Sequence, residues 1–183
     1  RCRAAVEEWV EPPRGTRPLF NQVDLDGWQV QSGTWCAKKG ILYSGGWGRI
    51  DWPEQYGTLR LLLEYRAELP READQRGHTL TVHADDESGW PGAHIWLVGR
   101  NAGMVTGLEP ATEYTQPEGD GRRLIRPAPF VPGKWNRLEV RLKKASIRVE
   151  LNGKLIFENK RFTDVRGYGG EDRGLPGCLA IQA

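Results

Sequence analysis

Sulfur is scarce in this chain, and long apolar runs are missing from it. One methionine and three cysteines occur in 183 residues. The cysteines, Cys2, Cys36 and Cys178, lie far apart with no C-x-x-C spacing, which excludes a zinc knuckle and a dithiol redox motif. One disulfide among them is open, and ordinary half-buried thiols are the alternative. The longest apolar runs, such as Leu61-Leu62-Leu63, are far too short to span a bilayer, and no signal-peptide pattern opens the chain. It begins at an arginine, so it reads as a mature or excised segment.

A charge excess of either sign is also missing. Lys+Arg 26 against Asp+Glu 24 leaves a net charge of +2, with the signs interspersed rather than gathered into a stripe or tail, which argues against nucleic acid as the main partner. No Gly-x-Ser-x-Gly, Walker-type loop or dinucleotide fingerprint stands in a strand-to-helix context, so acyl transfer and nucleotide chemistry find no support.

What is abundant is turn residues and tryptophan: 23 glycines, 12 prolines and eight tryptophans favour short strands joined by many turns over a helical bundle. Ala4 to Val10 has room for a helical turn or two before Glu11-Pro12-Pro13-Arg14-Gly15 ends it, so residues 1–17 read as a lead-in or linker and 18–183 as one domain.

Beyond the lead-in, Trp28–Val30, Thr34–Ala37 and Ile41–Ser44 are short β-like runs. Thr58 to Ala67 is the clearest strand, with Leu59, Leu61, Leu63 and Tyr65 alternating against Arg60, Leu62, Glu64 and Arg66. Leu138, Val140 and Leu142 repeat the pattern, as do Ile147, Val149 and Leu151. Asn152-Gly153 predicts a type I′ hairpin, yet a strict two-residue turn sets Leu155 and Phe157 against Glu150 and Arg148. Residues 99–134 show little periodicity and read as long loops with at most one short strand near Arg123–Arg126.

In His78–Ala84, Leu80 and Val82 point inward, which sends Thr79, Thr81 and His83 outward; in His94–Val98, His94, Trp96 and Val98 face outward. Alternation thus puts Arg60, Glu64, Thr81, His83, His94 and Trp96 on one sheet surface. A tryptophan on such a face can stack on an apolar ring face of a ligand while the polar groups bond hydroxyls. The alternative for Trp96 is an indole covered by the 99–134 loops, and for Glu64 an ion pair with Arg60 or Arg66. Glu64 is the sole carboxylate placed on that face, whereas chemistry by a carboxylate pair needs two. His83 and His94 suit general acid–base work, or are simply hydrogen-bonded surface histidines.

No metal site is expected: His78 should face the core, and the histidine spacings do not resemble a zincin. Asp85-Asp86-Glu87 offers calcium a set of oxygens, although a solvated acidic loop is the commoner use of such a stretch.

Pro18-Leu19-Phe20-Asn21-x-x-Asp24-Leu25-x-Gly27-Trp28, then Gly33-Thr34-Trp35 and Gly40-Ile41-Leu42-Tyr43, resemble the opening of the bacterial 3-keto-disaccharide hydrolase domain family. Leu61–Arg66, Gly133-Lys134-Trp135-Asn136, Leu151-Asn152-Gly153 and Gly177–Gln182 extend the likeness to nearly all of 18–182. The resemblance implies an all-β, concanavalin-A-like jelly-roll β-sandwich of two antiparallel sheets, often exported, hence secreted or periplasmic, and cleaving glycosides oxidised at the third sugar carbon.

The chain departs from the family in two strands. Gly77-His78-Thr79-Leu80-Thr81-Val82-His83 ends in histidine where the family has arginine, and His94-Ile95-Trp96-Leu97-Val98-Gly99 lacks the family's Glu and Asp. The family's closing strand is expected beyond Ala183. Three functions stay open. The first is a glycoside-cleaving enzyme with Glu64, His83 and His94 as catalysts and Arg60, Thr81 and Trp96 binding substrate. The second is a noncatalytic carbohydrate-binding or protein-interaction module with neighbouring domains in a longer exported chain, and the third a structural domain with no ligand.

Overall fold

The computed structural model describes residues 14–67, 78–84, 93–99, 102–103, 105–106, 108–109, 130–143, 146–159, 164–165 and 177–183. Among these the regular elements are all strands: β1 (Gln29–Ser32), β2 (Trp35–Lys38), β3 (Ile41–Ser44), β4 (Arg49–Tyr56), β5 (Thr58–Tyr65), β6 (Thr79–Ala84), β7 (Ala93–Trp96), β8 (Val105–Thr106), β9 (Leu108–Glu109), β10 (Asn136–Lys143), β11 (Ser146–Leu151), β12 (Lys154–Asn159), β13 (Asp164–Val165) and β14 (Gly177–Gln182). The expected helical turn at Ala4–Val10, the acidic loop 85–87 and the strand near Arg123–Arg126 lie outside the described residues.

Two antiparallel sheets carry the fold, one of six strands ordered β1-β4-β14-β6-β7-β8 and one of four ordered β12-β11-β10-β5. β2 and β3 form a separate hairpin, and β9 pairs with β13. One core joins the two large sheets: Leu80, Val82, Ile95 and Leu179 from the first meet Leu138, Val140, Leu142, Ile147, Val149 and Leu151 from the second. This is the jelly-roll sandwich that the resemblance implies. Each of these side chains alternates with an outward neighbour, because successive residues of a strand point to opposite faces. β5 follows the same rule, but as an edge strand it leaves Leu59, Leu61 and Leu63 only partly buried.

The Asn152-Gly153 turn is left-handed at both positions, φ 50° and 74°, as a type I′ turn requires. The register conflict seen in the sequence is real for one residue only. Glu150 does face Leu155, but a bulge then intervenes and brings Phe157 opposite Val149, so both are buried.

Tyr65 ties the sheets together. Its hydroxyl donates to the Leu97 carbonyl at 2.5 Å, just past β7, and its ring stacks on Phe130 with centroids 6.3 Å apart and planes 7° from parallel. Burial pushes its phenol well above the usual tyrosine range, so the hydroxyl stays a donor. Tyr65→Phe is expected to lower unfolding free energy by about 1–3 kcal/mol, the usual cost of stripping a buried carbonyl of its partner. Urea unfolding checks this, and an unchanged midpoint would contradict it.

Candidate functional site

Register assigns the side chains of the six-stranded sheet to two faces. One cross-strand row runs Gln29, Asp51, Ala180, Thr81, His94, Thr106. The next row, Ile50, Ile181, Leu80, Ile95 and Val105, points into the core. The row after that, Arg49, Gln182, Thr79 and Trp96, returns to the outer face. The outer face therefore carries a compact polar group flanked by one indole.

This face is polar yet closed off at its centre. Asp51 is 3% exposed, Thr81 4% and Ala180 2%. Asp51 keeps its charge company: Arg49 Nε and Nη2 donate to its two carboxylate oxygens at 2.6 and 2.9 Å, a fork geometry held within one strand. Thr81 Oγ1 lies 2.9 Å from His94 Nδ1, so the hydroxyl orients the imidazole ring whichever tautomer is present. Thr79 Oγ1 and Trp96 Nε1, cross-strand neighbours, are buried with no hydrogen-bond partner. Buried polar atoms normally find partners, and an ordered water is the simplest partner for such a pair.

Thr81, His94 and Trp96 thus share a face, as alternation predicts. His83 occupies the extra position of a β-bulge, since Val82 pairs with Leu179 and Ala84 with Cys178; its side chain lies outside the described residues.

Arg60 and Glu64 do not share that face, and here the sequence-based constellation needs correction. Both sit on β5, whose ladder with β10 runs from Tyr65↔Asn136 to Thr58↔Lys143 in the four-stranded sheet, so they point outward on the far side of the sandwich. Alternation separates inside from outside, but a sandwich has two outsides. Arg60 donates to both oxygens of Glu139 at 2.8 and 3.3 Å, and Glu64 stands opposite Arg137.

The outer surface of the four-stranded sheet is an ion-pair ladder. Glu139 also accepts from Arg141 at 2.6 Å, while Arg148 bonds Glu150 and Glu158. A shallow depression there is lined by Arg137, Glu139, Glu150, Asn152 and Gly153. Glu139 and Glu150 face each other across the strands, a spacing that invites comparison with a glycosidase pair. The hydrogen bond from Arg60, with Arg141 beside it, holds the Glu139 carboxyl below its usual range. A carboxylate kept ionised in this way is a poor general acid near neutral pH. The six-stranded face is the better site.

Among the described residues, no group of three or more His, Cys, Asp or Glu side chains is placed to hold a metal ion, and no helix is long and apolar enough to cross a membrane. The sequence reading missed Arg49, Asp51 and Gln182. A signal existed, since Arg49 and Asp51 alternate with Ile50 and Trp52, but Pro53 inside the strand and the exposed Glu54 and Gln55 obscured it.

The sequence model of the 3-keto-alpha-glucoside-1,2-lyase-like domain matches residues 15–183. Its start agrees with Arg17, which ion-pairs Glu54 and donates to the Tyr56 hydroxyl at 2.8 Å, both on β4. No curated protein matches the chain. Two solved structures of candidate glycosyl hydrolases from Parabacteroides distasonis share the fold. One is 17% identical with a TM-score of 0.66, covering 91% of this chain and 90% of that one. The other is 18% identical with a TM-score of 0.60, covering 90% and 85%. With the match spanning both sheets and every strand that builds the outer face, the chain belongs to the 3-keto-alpha-glucoside-1,2-lyase-like domain family.

Proposed function

We propose that the outer face of the six-stranded sheet binds a glycoside and, where the sugar carries a ketone at its third carbon, cleaves it by elimination. The observation that carries this reading is the Thr81–His94 pair, a half-buried imidazole oriented by a buried hydroxyl. Of the described residues in the two outer rows, His94 is the one whose ordinary pKa lies near neutrality. The ketone makes the proton on the second carbon removable. His94 takes that proton, the electron pair forms a double bond to the first carbon, and the glycosidic oxygen leaves from the first carbon, taking a proton from solvent, to which His94 later returns the one it removed. Thr81 positions the ring, while Arg49, Gln182 and Trp96 contact the sugar.

A second reading, a binding module without catalysis, is favoured by one observation. Asp51, the carboxylate in these rows, is fully occupied by Arg49. Product analysis separates the two when the protein is incubated with disaccharides and their 3-keto derivatives. Product from the keto sugars alone is expected; binding without product selects the module, and neither binding nor product overturns both. The same reading puts the protein in the secreted or periplasmic space, beside extracellular sugars, which cell fractionation checks.

A further inference from the structure

Asn152-Gly153 is the single Asn-Gly pair in the sequence, and Asn152 is exposed where it joins β11 to β12. An asparagine followed by glycine is a particularly labile amide. With no side chain crowding it, the glycine nitrogen can attack the carboxamide carbon of the residue before it. That attack requires the carboxamide to swing back over its own following peptide unit.

In this hairpin the carboxamide is held toward β10 instead. Its Oδ1 accepts from the Arg137 N–H at 2.8 Å, and its Nδ2 donates to Asn136 Oδ1 at 3.0 Å. The Asn152 N–H also donates to the Arg137 carbonyl at 2.8 Å, which fixes the main chain beside it. Asn136 has little room to yield: it is 1% exposed, and its Nδ2 donates to the carbonyls of Val131 and Lys134 at 3.0 and 2.8 Å. A reactive dipeptide open to water is thus clasped by a buried side chain of the neighbouring strand.

We infer that Asn152 is a latent site of spontaneous deamidation, held back by the Asn136 clasp, with water as the co-reactant. The Gly153 nitrogen forms a bond to Asn152 Cγ and gives up its proton to solvent, while the carboxamide nitrogen takes up a proton and leaves as ammonia. Water then opens the cyclic imide at one carbonyl or the other, leaving aspartate or isoaspartate; nothing is oxidised or reduced. Either product undoes the clasp, because an oxygen replaces Nδ2 opposite Asn136 Oδ1 and sets acceptor against acceptor. Isoaspartate also lengthens the main chain of a turn whose register is fixed by its ladder. This inference is independent of the carbohydrate reading.

Peptide mapping by mass spectrometry tests it on protein held at mildly alkaline pH, reading aspartate and isoaspartate in the tryptic peptide Val149–Lys154. Folded wild type is expected to convert at least about tenfold more slowly than wild type in urea, because the rate follows the population in which the carboxamide is released. Folded Asn136→Ala is expected to convert at least about tenfold faster than folded wild type. Asn136→Ser, with a side chain too short to keep the clasp, takes its place if circular dichroism shows Asn136→Ala unfolded. Val82→Ala, which removes core volume from the other sheet, should stay near the wild-type rate. Folded wild type that converts as fast as the unfolded chain overturns the inference. So does an Asn136 variant no faster than wild type, or a Val82→Ala protein accelerated as much as the Asn136 variant.

Discussion

Asn136→Ala is expected to lower the free energy of unfolding by about 2–4 kcal/mol, because it orphans several buried groups at once. Asn136 is 1% exposed. Its Oδ1 accepts from the Val131 N–H at 2.9 Å and from Asn152 Nδ2 at 3.0 Å, and its Nδ2 donates to the carbonyls of Val131 and Lys134 at 3.0 and 2.8 Å. Asn152 in turn exchanges bonds with the Arg137 backbone, its Oδ1 accepting and its own N–H donating, both at 2.8 Å. One amide therefore fastens the loop before β10 to the β11–β12 hairpin. Asn136→Asp keeps the acceptor but turns a second oxygen toward two carbonyls, so it should be no better tolerated. Denaturant unfolding measures both; a loss below about 0.5 kcal/mol, typical of an unremarkable surface change, would contradict the hub role. Asn136 and the Asn152-Gly153 motif are thus explained as framework.

The largest functional effect is expected at His94. His94→Gln retains a polar group for the Thr81 hydroxyl but cannot shuttle a proton, and the rate of keto-glycoside cleavage should fall by about 10²–10⁴. Binding should change far less. Arg60→Gln and Glu64→Gln supply the contrast: on the far side of the sandwich, in a solvent-facing ladder, they should leave turnover where it was. Steady-state kinetics of the three variants decide the matter. A slow Glu64→Gln beside a fast His94→Gln would reverse the choice of face.

That contrast also shows what can be read from a sequence. The strands with strict alternation, β5, β10 and β11, were legible because one of their faces is core and the other largely polar. β3 and the I′ turn were legible from local chemistry. β4 was hidden by Pro53, although it supplies Arg49 and Asp51. Sheet membership was not legible, because it is set by pairing between distant segments, as when β14 inserts between β4 and β6. Alternation alone therefore groups Arg60 and Glu64 with His94. The bulge at His83 was equally hidden, since nothing in Val82-His83-Ala84 announces an extra residue.

The most direct test of the outer face is chemical-shift mapping on isotope-labelled protein titrated with a glucose disaccharide. Shifts gathered at Arg49, Thr79, Thr81, His94 and Trp96 are predicted. Shifts gathered instead at Arg137, Glu139 and Glu150, in the depression on the other sheet, would contradict the assignment of the site.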